Sequence, residues 1–104
     1  MATDTPTSRS AGINNFATGS YTSDGTACVV TLGFTPRYIE VINSTDTITW
    51  SKMEGMAAAN CTKVTSTTLS VETSSDILIN TDGTITLSST LSGTSKLITY
   101  AAWG

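Results

Sequence analysis

The stretch LGFTPRYIEVINSTDTITW, residues 32–50, decides the predicted fold. Gly33 tolerates a positive φ, and Pro36 fixes its φ at about −65° and lacks a backbone donor, so the chain must change direction between them. Two short runs of apolar and polar residues follow, separated by turn-forming residues from Asn43 to Asp46. The stretch therefore predicts a turn, a strand, a second turn and a second strand.

The first of these strands carries apolar side chains on both faces. Tyr38, Glu40 and Ile42 point one way, and the residues between them point the other way, because side chains alternate along a strand. In the second strand, Ile48 and Trp50 share one face and polar residues the other, as in a half-buried antiparallel strand. We therefore predict a hairpin or meander over residues 27–51.

Composition indicates a single all-β domain. Serine and threonine make up about a third of the 104 residues, and charged residues only 12%. Threonine favours strands, and its hydroxyl makes a solvent-exposed strand face polar without adding charge. Short strands separated by polar turns predict a compact antiparallel β-sandwich or barrel of about eight short strands with an extended N-terminal arm, rather than a βαβ fold.

Local signals place the remaining elements. The sequences SDGT (residues 23–26) and TDGT (81–84) predict tight hairpins, since Asp-Gly is a strong hairpin signal. The apolar run 27–32 is predicted as a central strand that pairs with the strands of residues 32–50, because sequential strands are usually neighbours. Residues 52–60 are predicted as a surface loop, and the apolar run 97–103 as a closing strand within the sheet.

The N-terminal part of the chain shows neither strand nor helix periodicity. Residues 1–19 are predicted to form an extended arm ordered on a partner, with Ile13 and Phe16 as its apolar anchors. The alternative is a frayed terminus. Residues 20–104 are then the sandwich or barrel domain.

Several classes of function are disfavoured by the residues present. A net charge of −3 with five scattered basic residues gives no footprint for nucleic acid, and no apolar run suits a membrane span or a signal peptide. The chain has no histidine and two distant cysteines, Cys28 and Cys61, which we predict to be free, buried thiols. We accordingly predict no catalytic residues, cofactor or metal site, no enzyme activity, and a soluble product made in the cytoplasm.

Some side chains allow two interpretations. Trp50 and Trp103 pack either in the core or at a subunit interface, or else present a face that stacks on glycans. Met53 and Met56 either form a contact patch on another subunit or fill the open end of the domain's own core. Glu40 lies either on a solvated strand face or against a neighbouring subunit.

A resemblance rests on the sequence GFTPRYIEVINST (residues 33–45), followed by Trp50 and by MEGM (residues 53–56). It is similar to the signature Gly-Phe-x-Pro-(Arg/Asp)-apolar-apolar-x-apolar-x-Asn-x-Thr of small structural proteins of tailed-bacteriophage virions. Their Gly-x-Tyr-x-Gly-x-Gly entry corresponds to GSYTSDG (residues 19–25), which departs at one glycine. The resemblance covers residues 19–56 and extends weakly to the closing strand.

The resemblance implies a capsid decoration, or cement, protein on the outer surface of the virion head, with the major capsid protein as partner. The strand after Pro36 has a second apolar face, and self-association would bury it. We predict a homotrimer, because cement proteins commonly occupy three-fold positions. A tail or tail-fibre component and a carbohydrate-binding module are the alternatives. The residues predicted to form the interface are Ile13, Phe16, Arg37, Tyr38, Glu40, Ile42, Met53 and Met56.

Overall fold

The computed structural model describes residues 2–4, 8–10 and 15–104, which form eleven strands and one short helix. The strands are β1 (Ala2–Asp4), β2 (Ser8–Ser10), β3 (Phe16–Asp24), β4 (Cys28–Thr31), β5 (Tyr38–Asn43), β6 (Ile48–Met53), β7 (Cys61–Val64), β8 (Leu69–Glu72), β9 (Ile77–Ile79), β10 (Thr84–Leu87) and β11 (Thr94–Trp103), and the helix is α1 (Ser89–Ser92).

The strands form two sheets around one core. The smaller sheet has the order β1-β4-β10-β9, and the larger has the order β2-β3-β11-β5-β6-β7-β8. All pairs are antiparallel except β1 with β4, which is parallel. This arrangement confirms the predicted all-β sandwich, with more strands than the predicted eight because two lie within the first ten residues.

Part of the predicted arm, including its anchor Ile13, lies outside the described residues. Within residues 1–19, β1 pairs with β4 and β2 pairs with β3, so both strands extend sheets of their own chain. The anchor Phe16 is the first residue of β3.

The core is formed by the inward side chains of both sheets. In β5 the alternation is strict, with Ile39, Val41 and Asn43 buried and the residues between them half-buried. Burying one Ile or Leu side chain contributes about 1.5–3 kcal/mol, so the core supplies much of the driving force for folding. Its members are Ala17, Cys28, Val30, Leu32, Ile39, Val41, Trp50, Cys61, Ile77, Ile85, Leu87, Leu91, Ile98, Tyr100 and Ala102.

The Gly-Phe-Thr-Pro-Arg segment carries the chain from the smaller sheet to the larger one. Gly33 has a φ of 84°, and the N–H groups of Leu32 and Gly33 both donate to the carbonyl of Gly83, at 2.9 and 3.0 Å. The Arg37 N–H then donates to the carbonyl of Trp103 at 2.6 Å, which places β5 beside β11. The prediction that residues 27–32 pair with the strands of residues 32–50 is therefore wrong, because β4 lies between β1 and β10.

The predicted β5–β6 hairpin is confirmed, and its turn is held by side chains. The Asp46 N–H donates to Asn43 Oδ1 at 2.9 Å, and Asn43 Nδ2 donates to the Asp46 carboxylate at 3.1 Å. Lys96 Nζ lies 3.0 Å from the same carboxylate. These contacts tie the turn to the start of β11.

The two Asp-Gly turns have the same local chemistry but different topology. Thr26 donates its N–H and hydroxyl to Asp24 Oδ1, and Thr84 does the same to Asp82 Oδ1. The second turn joins β9 to β10 as predicted, whereas the first joins β3 of the larger sheet to β4 of the smaller. An Asp-Gly-Thr turn thus fixes a local reversal but not the sheet that the next strand joins.

The closing strand β11 lies between β3 and β5, as an apolar run within the sheet predicts. It begins earlier than predicted, because residues 88–96 contain α1 and the start of β11 rather than a polar loop. Ser88 caps α1 by accepting the Leu91 N–H at 3.0 Å, and Leu91 is buried in the core.

Candidate interaction surface

The outward side of the larger sheet, which we call the outer face, is the unusual surface of this protein. Paired residues of adjacent antiparallel strands point to the same side, so the register assigns each side chain to one face. All large hydrophobic side chains found exposed within residues 15–104 lie on this outer face. They are Met53, Val64, Leu69, Val71, Leu97 and Trp103.

One row of this face, which we call the aromatic row, crosses four strands and contains no charged side chain. It consists of Phe16 on β3, Trp103 on β11, Tyr38 on β5 and Met53 on β6, which are consecutive partners in the register. The Trp103 ring centroid lies 5.5 Å from that of Phe16 and 5.2 Å from that of Tyr38. Trp103 is 39% exposed and Met53 59%, so the row is open to a partner.

The rings of the aromatic row are tilted against each other by 52° and 43°. Both ring pairs lie within the centroid distances of about 4.5–7 Å at which aromatic side chains attract each other. They give an uneven apolar surface rather than a flat platform.

A hydrogen bond inside the outer face orients its central carboxylate. The Tyr38 hydroxyl donates to Glu40 Oε2 at 3.3 Å. Burial raises the pKa of the Tyr38 phenol, and the negative charge of Glu40 adds to that shift. The phenol therefore stays protonated at neutral pH and keeps donating to Glu40.

The margin of the aromatic row is formed by the loop after β6. Arg37 Nε lies 3.1 Å from Glu54 Oε2 in an exposed ion pair, which contributes little to stability. The Met53 N–H donates to Met56 Sδ at 3.3 Å. Met56 is half-buried against the loop, whereas Met53 faces outward.

The same loop is built around a buried ammonium group. Lys52 points inward from β6, is 3% exposed, and donates to the carbonyls of Ala57, Ala58 and Asn60 at 3.0, 3.2 and 2.5 Å. Burial lowers the pKa of Lys52, with the neighbouring Cys61 acting in the opposite direction. Placing residues 52–60 on the surface missed this lysine, which anchors the loop from beneath.

The buried cysteines behave as predicted. Neither Cys28 nor Cys61 forms a disulfide, and both are buried. Burial raises the pKa of the Cys61 thiol, Asp76 adds to that shift and Lys52 opposes it. A raised pKa keeps this sulfur as an unreactive thiol.

A second apolar area, the edge patch, lies at the far margin of the outer face and consists of Val64, Leu69 and Val71. Leu69 is 70% exposed and Val71 61%, the highest values among the large hydrophobic side chains of residues 15–104. In β8 the usual pattern is inverted, since Leu69 and Val71 point outward while Ser70 and Glu72 point inward. On the inner side, Glu72 lies 3.8 Å from Lys63, and that lysine covers the Trp50 ring at 5.6 Å.

The predicted interface residues largely converge on one surface. Phe16, Tyr38, Glu40, Ile42 and Met53 are all on the outer face. The others are Arg37 and Met56 at its margin, and Ile13, which lies outside the described residues.

The predicted interface residues do not include Trp103, Leu97 or the edge patch, although an interface or glycan-facing position was one of the alternatives for Trp103. The alternation in residues 69–72 does signal a one-sided strand, but alternation alone does not say which side meets the core. Trp103 belongs to a strand with apolar residues on both faces, so its outward direction follows only from its register with Phe16 and Tyr38.

Within residues 2–4, 8–10 and 15–104, no cluster of three or more His, Cys, Asp or Glu side chains is arranged to hold a metal ion. The one helix described is far too short to cross a membrane. Comparison with family models, curated proteins and solved structures found no significant match to this chain.

Proposed function

We propose that this chain is a non-enzymatic structural protein of a bacteriophage virion, which binds the major capsid protein on the outer surface of the head and reinforces the shell. The observation that carries the proposal is the aromatic row on the outer face, in which Trp103 and Met53 are exposed and Phe16 and Tyr38 are half-buried. Exposed aromatic and apolar side chains grouped on one sheet face are a common feature of protein interaction sites.

The resemblance supplies the kind of partner. The Gly-Phe-Thr-Pro-Arg segment that carries it also positions Tyr38 beside Trp103, through the bond from the Arg37 N–H to the Trp103 carbonyl. The signature residues and the exposed aromatic row are thus parts of one local structure. Large apolar and aromatic side chains are the usual anchors of protein interfaces.

The test is co-sedimentation of the purified chain with expanded capsids of the phage that encodes it. We expect the chain to pellet with capsids, and Met53→Glu to weaken binding at least tenfold, because it places a charge in the aromatic row. Thr81→Glu, at an exposed turn of the smaller sheet, is the matched control and retains binding. Absence of the wild-type chain from the capsid pellet contradicts the proposal.

A tail location is separated from a head location by mass spectrometry of purified heads and tails. Recovery of the chain in tails alone replaces the decoration role with a tail or tail-fibre role. The outer face then binds a tail protein instead of the capsid.

The aromatic row also favours a second candidate, a carbohydrate-binding module. Of the two tryptophans in the chain, Trp103 is exposed, whereas Trp50 is 2% exposed and lies in the core. A glycan array tests this function directly. Binding that is lost in Trp103→Ala, and unaffected by Thr81→Glu, supports carbohydrate recognition, and an array without hits removes it.

A further inference from the structure

Among the residues that the structure describes, strand β8 ends the larger sheet and has a neighbouring strand on one side only. Its partner is β7, and β8 is the last strand in the sheet order. Along its other side, the backbone groups are therefore a row of donors and acceptors with none of the described strands beside them. Its outward side chains, Leu69 and Val71, carry no charge that would keep another strand away.

The β7–β8 turn shows which backbone groups face this free edge. The Thr65 N–H donates to the Thr68 carbonyl at 2.9 Å. Bonded and non-bonded pairs alternate in an antiparallel ladder, so Ser70 directs its N–H and C=O toward β7. Leu69 and Val71 consequently direct theirs outward. The two most exposed apolar residues of the strand are also the two with backbone groups at the edge.

We propose that β8 pairs antiparallel with β8 of a second copy of this chain, about a two-fold axis through Ser70, so that the chain forms a dimer in place of the homotrimer expected from the sequence. In this register Leu69 lies opposite the partner's Val71, and Val71 lies opposite the partner's Leu69. Both pairs use outward-directed backbone groups, so each is a hydrogen-bonded pair. The two copies of Ser70 meet as a non-bonded pair on the axis.

Charge and side-chain matching select this register. An axis through Glu72 brings two carboxylates face to face, which is unfavourable for directly opposed strand residues. An axis through Val71 places Leu69 opposite a threonine, Thr73, and loses one apolar contact. The axis through Ser70 is self-complementary, because it joins the edge patches of both copies and sets Glu72 opposite the partner's Thr68.

The pairing joins two seven-stranded sheets into one continuous sheet with both outer faces on the same side. The edge patches become its centre and the aromatic rows lie on either side. This association does not rest on the virion role, because it needs only a second copy of the chain. Its tests use purified protein alone, so their failure leaves the proposed function standing.

Disulfide trapping tests the register. On the axis, two Ser70 Cα atoms are expected to lie about 4.5 Å apart, within the range that a disulfide spans. We expect Ser70→Cys to give a covalent dimer under mild oxidation on a non-reducing gel. Glu72→Cys, on the same face but two residues from the axis, is the matched control and is expected to give at least tenfold less dimer. The native thiols Cys28 and Cys61 are buried and give no background.

Sedimentation equilibrium of the unmodified chain tests the association independently of any cysteine variant. A mass of two chains is expected, with at least a tenfold weaker association in Val71→Lys, since an edge lysine disfavours strand pairing. Circular dichroism of that variant checks that the fold is retained. A monomer at all concentrations, a trimer, or equal crosslinking at positions 70 and 72 overturns the proposal.

Discussion

Lys52 shows how a single side chain can hold a loop in place. Its ammonium group donates to three carbonyls of the loop after β6, and it is almost fully buried. Lys52→Met keeps the apolar stem but removes the ammonium donor from all three carbonyls, of which that of Ala57 still accepts the Asn60 N–H. We expect a loss of about 2–4 kcal/mol in the free energy of unfolding, measured by urea denaturation.

The control for this change is Lys63→Met, on the neighbouring strand and the same inner face. Lys63 is partly exposed and makes a long ion pair with Glu72, so its loss is expected to cost less than about 1 kcal/mol. Equal losses for the two variants would show that the three carbonyl contacts add no stability.

Asp82 is a second single residue with a testable effect, because its carboxylate makes the stability of the protein depend on pH. The hydroxyl and N–H of Thr84 bond its carboxylate and hold its folded pKa below the ordinary value of 3.8. A lowered folded pKa stabilises the protein above the unfolded value, and that contribution is lost as pH falls through the folded value. We therefore expect Asp82→Asn to lower the urea midpoint at neutral pH.

The difference between Asp82→Asn and the wild type is expected to disappear in strong acid, where both side chains are neutral. Asp24, bonded in the same way by Thr26, is the internal replicate. If the difference in urea midpoint persists in strong acid, the effect of Asp82→Asn comes from side-chain shape and not from charge.

At the scale of elements, the contact between β3 and β11 depends on a missing side chain. Gly19 pairs with Tyr100, and a Cβ built on Gly19 would lie 2.7 Å from Tyr100 Cζ. Tyr100 is buried in the core and has little room to move. We expect Gly19→Ala to destabilise the protein by about 1–3 kcal/mol in thermal or urea unfolding.

Ser20→Ala is the control for Gly19→Ala, because Ser20 is exposed on the opposite face of the same strand. It is expected to change stability by less than about 0.5 kcal/mol. If Gly19→Ala proves equally mild, the Tyr100 ring has shifted and β3 is less tightly packed than the register indicates.

The elements also show what the sequence allows one to predict. The strands after Cys61 follow the alternation of apolar residues closely, because each is short and bounded by turn residues. The partners of β4 were not predictable, since the bonds of Leu32 and Gly33 to Gly83 join residues fifty-one and fifty positions apart. The outward direction of Leu69 could not be predicted for the same reason. Alternation shows which residues share a face of the strand, but only the packing of the other sheet determines which face is buried.

At the scale of the whole molecule, both sheets share one core and are expected to unfold together. Trp50 is buried in that core, whereas Trp103 is on the outer face. In Trp103→Phe, which keeps an aromatic side chain, fluorescence reports Trp50 alone. We expect its thermal transition to coincide with that of far-ultraviolet circular dichroism.

Two separate transitions in this experiment would mean that the smaller sheet melts before the larger. Wild-type protein is the control, because its additional Trp103 signal also reports any change on the outer face. A transition seen only in the wild type is then assigned to that face rather than to the core.

The two-sided apolar character of β5 has a consequence for how the chain avoids kinetic traps. A hairpin misaligned by one residue would exchange the inward and outward side chains of β5 at little cost in hydrophobic burial. Two residues discriminate against it: Asn43, whose clamp on Asp46 spans only three positions and forms locally, and Glu40, whose charge would be forced into the core. Glu40 therefore favours the correct register mainly by raising the free energy of the misaligned hairpin. This effect cannot be seen in the contacts of the native structure.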